Sequence, residues 1–487
     1  MALDDRRRWL ALYVLCLGDV LIVLDSTIVN VALPSIQADL GFSDSSLAWV
    51  VNAYLLTFGG FLLLGGRLGD LFGRRRVFLV GLALFTVMSV ACGLAGSQGF
   101  LVAARALQGF GGAIVSVVAL SLVMILFPEP ADRAKAMGIF GFVLSGGATA
   151  GVLLGGVLTD LFAWNWIFLV NLPIGATVIA LTLALLPGDR GDADDRRLDI
   201  AGAVTVTASV MIGTYAIVNG NEDGWTSGQT VGLLGAAVAL LAAFLVIEAR
   251  VASPLMPLGL FRRRNISVAN VVGVLMAGSM FAWFFLSALY LQLVLGYEPL
   301  EVGLAFLPST LIMGTCSIAV SDRLVMRFGV KPPLAGGLAL FALGLLFFAR
   351  TPVDGSFVTD VLPGMIVMGL GGGITFNPLL LAAMGDADPS DAGLASGIVN
   401  TAFMMGGALG LAVLVSVADS RTGSLLDAGD GRLEALTGGY HAAFLAGAAF
   451  AATGSLLSLL LRPVAPPGQE AQEAHVAGEP APESVPA

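Results

Sequence analysis

The sequence predicts an all-α integral membrane protein with fourteen transmembrane helices. Hydrophobic residues make up 57% of the 487-residue chain and charged residues only 12%, about half the charge of a typical soluble protein. Fourteen apolar runs are each long enough to cross about 30 Å of hydrocarbon at about 1.5 Å per residue. The predicted spans lie near residues 10–33, 46–66, 77–97, 99–127, 135–160, 165–187, 199–219, 230–249, 266–295, 301–321, 333–350, 357–383, 392–418 and 440–461.

The basic residues predict the orientation of these spans. With the amino terminus in the cytoplasm, 20 of the 24 Lys and Arg residues fall in cytoplasmic segments, three fall outside, and Arg105 lies within a span. This asymmetry follows the positive-inside rule. We therefore expect a multi-pass protein of the plasma (inner) membrane with both termini cytoplasmic. Residues 1–9 form the cytoplasmic amino terminus, and the Pro- and Glu-rich tail 462–487 is expected to be disordered.

An internal repeat predicts how the spans are grouped. Gly66–Arg75, after the second span, and Asp322–Lys331, after the tenth, share Arg-Leu and Phe-Gly at a constant offset. The offset predicts two pseudo-symmetric six-helix halves, 10–187 and 266–461, with two inserted central helices at 199–249. Duplicated halves usually rock about a site near the membrane midplane. Chance similarity between glycine-rich apolar segments is the alternative.

The first predicted span contains two acids, Asp19 and Asp25. A carboxylate there is costly unless it faces a cavity, meets a cation or takes up a proton, so it marks an ion or proton path. Asp25 and Arg105 of the fourth span both lie about 10 Å below the outer surface. We expect an ion pair whose formation and separation control proton binding, with Gln108 as a polar neighbour. A purely structural acid is the alternative at Asp25. At Asp19 a structural or cavity-lining acid explains the residue as well as a proton path does.

The loop after the second span predicts a cytoplasmic gate. It contains Gly66, Asp70, Gly73, Arg74 and Arg75. The arginines are expected to pair with the acid and with helix ends, so that a charged clasp holds one conformer closed and releases in the other. The alternative, that the arginines only set the topology, explains neither the acid nor the glycines.

Polar, aromatic and methionine side chains within the spans are candidates for a substrate cavity, since ligand sites are usually apolar with a few polar groups. Ordinary helix packing is the alternative for each. The candidates, besides Asp19, are Asn52, Tyr54, Gln108, Trp283, Tyr290, Gln292, Asn377, Met404 and Met405.

The sequence argues against an enzyme or an ATP-driven pump. Neither Lys135 nor Lys331 follows a glycine, so the phosphate-binding Gly-x-x-x-x-Gly-Lys motif is missing, and the spans contain no histidine and acid at metal-ligand spacing. The three cysteines suggest no disulfide. We expect a monomeric secondary transporter without metal, cofactor or nucleic-acid partner, whose partners are a small amphipathic molecule, protons and the lipid bilayer.

Four segments taken together resemble those of the fourteen-helix drug:proton antiporters of the major facilitator superfamily. They are Leu24–Pro34, Gly66–Arg76, Arg105–Ala113 and Trp164–Pro173. The resemblance implies export of hydrophobic, often cationic drugs or antibiotics in exchange for protons, powered by the proton gradient. It also implies that Asp25 and Arg105 act in proton coupling and that Asp70 and its arginines act in the cytoplasmic gate.

The fifth span carries a related motif with one departure. Gly147, Gly151, Gly155 and Gly156 match the glycines of the antiporter motif Gly-x-x-x-Gly-Pro-x-x-Gly-Gly, but Val152 replaces its proline. A bend that depends on this proline is therefore not implied here.

A second function stays open on the residues alone. A carrier of this architecture with another amphipathic cargo, such as a lipid, siderophore or metabolite, and with different or no proton coupling would show the same spans. An Asp25→Asn substitution separates the two, because it should abolish pH-driven transport by an antiporter and leave the net flux of an uncoupled carrier intact.

Overall fold

The structure is a computed structural model that describes residues 5–43, 45–127, 129–186, 199–251, 254–385 and 392–462. Within these ranges every regular element is helical, and the α-helices are α1 (Asp5–Leu40), α2 (Trp49–Phe72), α3 (Arg74–Gly93), α4 (Gln98–Leu126), α5 (Pro130–Leu161), α6 (Trp166–Leu169), α7 (Asn171–Leu185), α8 (Ile200–Asp223), α9 (Gly228–Arg250), α10 (Arg264–Leu289), α11 (Pro299–Cys316), α12 (Asp322–Phe328), α13 (Lys331–Phe348), α14 (Leu362–Met384), α15 (Ala392–Asp427) and α16 (Arg432–Ser458). The predicted tail from residue 463 onward lies outside the described residues.

The sixteen α-helices make fourteen membrane-length crossings. Short α6 is followed directly by α7, and a π-helical turn, Ser317–Ser321, joins α11 to α12. Among the described residues, thirteen segments are long and apolar enough to cross a membrane, and α5 adds the apolar stretch Thr149–Leu161. The predicted all-α fold with fourteen helices is therefore confirmed. Because the number of crossings is even, the first and last described residues, Asp5 and Arg462, lie on one side, which we call the terminal side; the opposite side is the far side.

Helix α1 is longer than the predicted span at both ends. Its first turns carry charged residues, and Arg8 donates to Asp132 of α5 at 2.6 Å. At the other end Asp39 accepts a bond from the Trp164 indole at 2.8 Å. Hydropathy marks only the part of a helix that lies in hydrocarbon, so polar contacts beyond that part extend the helix without an apolar signal.

The inserted helices contact helices from both predicted halves. In the amino-terminal part, α1 packs on α5, and α4 packs on both α2 and α3. In the carboxyl-terminal part, α10 packs on α15, and α13 packs on both α14 and α16. Helices α8 and α9 pack mainly on each other, while α8 also touches α2 and α15. The inserted pair therefore bridges helices from the two predicted halves.

Two sets of contacts join the predicted halves on the far side. The amide of Gln292 donates to the Val31 carbonyl at 3.0 Å. Helix α5 also meets α11 closely, because a Cβ placed on Gly156 would lie 2.7 Å from the Pro299 carbonyl oxygen. Small residues allow such close approach of helix backbones.

Candidate functional site

Asp25 and Arg105 form an ion pair inside the amino-terminal helices. Nη1 of Arg105 donates to Oδ2 of Asp25 at 2.5 Å, and both side chains are fully buried. The structure thus shows the contact that their equal depth predicted. Removing two charges from water is costly, and the cost is recovered only when further hydrogen bonds satisfy both groups.

Three more buried side chains surround the carboxylate. Oδ1 of Asp25 accepts one bond from the Gln108 amide at 2.7 Å and another from the Asn171 amide at 2.9 Å. The Gln108 oxygen accepts from Arg105 at 2.7 Å. The hydroxyl oxygen of Ser89 accepts from Gln108 at 2.6 Å and from Asn171 at 3.3 Å. The carboxylate is therefore held by side chains of α4 and α7, which Ser89 of α3 links.

The guanidinium of Arg105 has apolar as well as polar neighbours. Its Nε donates to the Val50 carbonyl at 3.0 Å. Its central carbon lies 4.3 Å from the Tyr54 ring centroid and 5.5 Å from that of Phe168. A cation is attracted to the face of an aromatic ring, most strongly away from water. Tyr54 and Gln108, which we expected in a substrate cavity, thus lie in the ion-pair network.

A separate central cavity of about 290 Å³ lies between the amino- and carboxyl-terminal helices. Helix α1 supplies polar residues and α10, α11, α14 and α15 supply mostly phenylalanine, methionine and glycine. The lining residues are Ser26, Thr27, Asn30, Met276, Met280, Phe281, Phe284, Thr310, Met313, Gly314, Ser317, Gly372, Gly373, Phe376 and Phe403. Helix α1 therefore turns Asp25 toward α4 and the next two residues toward the cavity.

The described lining of this cavity includes none of the nine side chains that, besides Asp19, we had assigned to a substrate cavity, and two of them lie deep in the carboxyl-terminal core. Trp283 is fully buried among aromatic rings, and the Tyr290 hydroxyl donates to the Pro352 carbonyl at 2.7 Å. The rings around the indole are Phe284, Phe306, Phe341 and Phe348. An amphipathic ring in an apolar helix can pack in a core as well as line a cavity. Helical spacing alone did not reveal which of these two faces of the helix such a ring occupies.

The remaining candidates lie at helix contacts. The Gln292 amide bonds to α1 on the far side, and the Asn377 amide donates to the carbonyl of Ser317, a cavity residue, at 3.0 Å. Met404 packs against α2. Asn52 is fully buried, and neither of its amide atoms has a hydrogen-bond partner among the described residues.

Asp19 lies on α1 below the ion pair. Its side chain is 3% exposed, and Oδ1 lacks a hydrogen-bond partner within the described part of the chain. Ser116 of α4 is its polar neighbour. The acid belongs neither to the Asp25 network nor to the described cavity lining.

The predicted gate residues tie α3 to other helices on the terminal side. Nε of Arg74 donates to the Ser121 hydroxyl at 2.8 Å, and Arg75 donates to the Leu183 carbonyl at 2.8 Å. Gly73, at φ +90°, joins α2 to α3 in a conformation that other residues rarely adopt. The side chain of Asp70 lies outside the described part of the structure, so the clasp stays a prediction.

Gly66 and the glycines of α5 lie where helices approach closely. A Cβ on Gly66 would lie 2.9 Å from the Val117 side chain of α4. Gly147 lies against Val20, Gly151 against Leu24 and Thr27, Gly155 against Ile28, and Gly156 against Pro299. Helix α5 runs unbroken from Pro130 to Leu161 through the position of the missing proline.

A family model described as Major Facilitator Superfamily matches residues 15–411 of the chain. The chain belongs to this superfamily. It is 40% identical over 424 residues to the puromycin resistance protein of Streptomyces alboniger, covering 87% of this chain and 84% of the relative. It is 41% identical to the cephamycin export protein of Amycolatopsis lactamdurans over 416 residues, covering 85% of each.

Further comparisons agree with this assignment. The multidrug resistance protein Stp of Mycobacterium tuberculosis is 38% identical over 413 residues, covering 85% of this chain and 76% of the relative. A bacterial homologue of the human lysosomal transporter Spinster, solved in an inward-facing conformation, has a TM-score of 0.66 at 16% identity and covers 94% of this chain and 98% of that chain. The superfamily comprises transporters rather than enzymes, and its drug antiporters use no cofactor.

Sequence reasoning missed two members of the Asp25 network. Asn171 lies inside the Trp164–Pro173 segment that carries the resemblance, and its amide in an apolar run was the available signal. Ser89 offered none, because a hydroxyl in a spanning helix usually bonds to its own backbone.

Proposed function

We propose that this superfamily member exports amphipathic drugs or antibiotics in exchange for protons by alternating access. The names of relatives at about 40% identity support the cargo class, since they are resistance and export proteins. The buried pair of Asp25 and Arg105 supports the proton coupling. That pair is the observation on which the proposal depends.

The geometry suggests how one proton couples to movement. The ionised Asp25 accepts three bonds, from Arg105, Gln108 and Asn171, which fix α1 against α4 and α7. A proton on the carboxyl group removes its charge and leaves the guanidinium without a counterion in a buried place. Breaking the pair frees α1 to shift, and the other face of α1 lines the cavity through Ser26.

The cavity supports an apolar or cationic cargo. Its lining is rich in phenylalanine and methionine, and methionine adapts to ligands of different shape. Aromatic faces attract cations as well as apolar groups. The polar residues of α1 provide the few hydrogen-bonding groups that orient a ligand in such sites.

We extend the proposal to the orientation in the membrane, the domain division, the cytoplasmic gate and the oligomeric state. The distribution of 20 of 24 basic residues supports cytoplasmic termini in the plasma membrane. The helix packing supports the division into 10–187, 199–249 and 266–461, with Asp19 as a further acid on the proton path and the arginine loop as the cytoplasmic gate. We propose that one chain is the working unit, because its helices enclose both the ion pair and the cavity.

Transport in proteoliposomes tests the proposal. Under an imposed pH gradient, wild-type protein should move compounds such as puromycin, and Asp25→Asn should abolish pH-driven transport while leaving exchange of cargo down its own gradient. Asp39→Asn is the matched control, because Asp39 is an acid of the same helix. An asparagine oxygen at this position can still accept the hydrogen bond from the Trp164 indole. pH-driven transport by Asp25→Asn at the wild-type rate would refute proton coupling through this acid, whereas wild-type transport that does not respond to the pH gradient would favour an uncoupled carrier.

A further inference from the structure

Two acids outside the Asp25 network meet where the inserted helices lead into α10. Asp199 caps α8, and its Oδ1 accepts from the Gly202 backbone N–H at 2.7 Å. Glu248 lies in the last turn of α9, and its Oε2 accepts from the Met256 backbone N–H at 3.0 Å. The two residues are only 5% and 3% exposed. One oxygen of each carboxyl group is therefore satisfied by the backbone.

The second oxygens of the two groups face each other. Neither Oδ2 of Asp199 nor Oε1 of Glu248 has a hydrogen-bond donor among the described residues. A Cβ placed on Gly202 would lie 2.5 Å from the first oxygen and 2.9 Å from the second. The two side chains are in direct contact. Glycine thus leaves open a small space into which both unsatisfied oxygens point.

Two ionised carboxylates are unstable next to each other in this buried space, because like charges repel strongly away from water. A single proton resolves the conflict, since it turns one oxygen into a donor and makes a short, strong O–H···O bond to the other. We propose that Asp199 and Glu248 bind one shared proton at neutral pH, forming a proton site separate from Asp25. A metal ion fits less well, because no group of three or more potential ligand residues occurs in the described chain.

Among the residues that the structure describes, the cations near the pair have other interactions or are exposed. Arg250 of α9 and Arg262 of the turn before α10 are exposed. Arg263, in the same connection, and Arg67 of α2, on the helix that α8 contacts, have interactions of their own. Helix α15, which also packs on α8, carries no charge between residues 392 and 418. Of the charged side chains that the structure describes, Asp199 is the one that acts on Glu248.

The shared proton has a mechanical consequence through Met256. The Glu248 carboxyl group holds the Met256 backbone, and the Met256 side chain packs on a cluster formed by Ile266, Ala395 and Ile398 with Leu63 of α2. This cluster contains residues of α2, α10 and α15, and it forms a seam that must rearrange when the halves rock. Loss of the proton would push the acids apart and release the connection from that seam.

Infrared spectroscopy of the purified protein tests the proton directly. Wild type at neutral pH in heavy water should show a carbonyl band of a protonated carboxyl group that Glu248→Gln and Asp199→Asn each lose. Gly202→Ala should also lose it, because its methyl group enters the space between the oxygens while both acids remain. Asp39→Asn is the control and should retain the band. A band unchanged in all three variants, or one that appears only when sodium is removed, would overturn the proposal.

Hydrogen exchange of the peptide containing Met256 tests whether the Glu248 carboxyl group holds the Met256 backbone. A glutamine at position 248 can donate to Asp199 and still accept from Met256, so this variant keeps both bonds without a proton. At neutral pH wild type and Glu248→Gln should protect the peptide equally, and at alkaline pH wild type alone should lose protection severalfold. Glu248→Ala should lose protection at every pH. Equal protection of wild type and Glu248→Gln at all pH values would contradict the proposal. Neither measurement involves transport, so the result is independent of the proposed export.

Discussion

Replacing Arg105 with methionine tests the energetics of the buried network. Methionine keeps most of the volume of the arginine side chain but removes the bond to Asp25 at 2.5 Å and those to Gln108 and the Val50 carbonyl. Removing one partner of a buried ion pair costs about 3–5 kcal/mol, because the other charge stays buried without compensation. We expect Arg105→Met to lower the free energy of unfolding by about that amount.

The double substitution shows whether the cost arises from the pair. In Asp25→Asn/Arg105→Met no buried charge remains, and the asparagine can still accept from Gln108 and Asn171. Replacing both partners of a buried pair is often nearly neutral, so the double variant should recover most of the loss. The measurement is denaturant or thermal unfolding of each purified variant in detergent, analysed as a double-mutant cycle. The reasoning is refuted if the double variant is no more stable than Arg105→Met.

Three further predictions concern helix packing, the cavity and the aromatic core. Gly155→Leu should abolish the yield of folded protein, because its Cβ would lie 2.7 Å from the Ile28 carbonyl oxygen. A Cβ at Gly146 of the same helix has no described atom within 4 Å, so Gly146→Leu should express normally. Size-exclusion chromatography in detergent measures both outcomes. Phe281→Ala should change which compounds inhibit transport, since the ring lines the cavity. Trp283→Ala should lower the free energy of unfolding by about 3–5 kcal/mol, because it leaves a void in the aromatic core. A Trp283→Ala protein as stable as wild type would show that this core does not depend on the indole.

The sequence predicted the elements that depend on local composition. Apolar runs located the fourteen crossings because a helix in hydrocarbon must be apolar along its length. Depth counting paired Asp25 with Arg105, since a fixed rise per residue converts sequence position into depth. The same counting did not predict Asn171, because several residues share each depth and only helix neighbours and rotation decide which of them meet.

The cavity gives a second example in which counting along the sequence does not predict what a side chain contacts. Trp283 and Phe281 are two positions apart on α10, yet one is buried among aromatic rings and the other lines the cavity. Two residues along a helix turn the side chain by more than half a circle. In a soluble protein the polar face would mark the outside, but lipid and core are both apolar, so composition does not distinguish them.

The amino-acid sequence by itself determined the all-helical membrane fold, its fourteen crossings and the depth of the acid and its arginine, because each follows from hydrophobicity and helical rise along one segment. Only the tertiary structure decided which side chains complete the Asp25 network, which residues line the cavity and that Asp199 meets Glu248. Those contacts join residues from different helices, and they depend on how the helices are rotated and packed against one another.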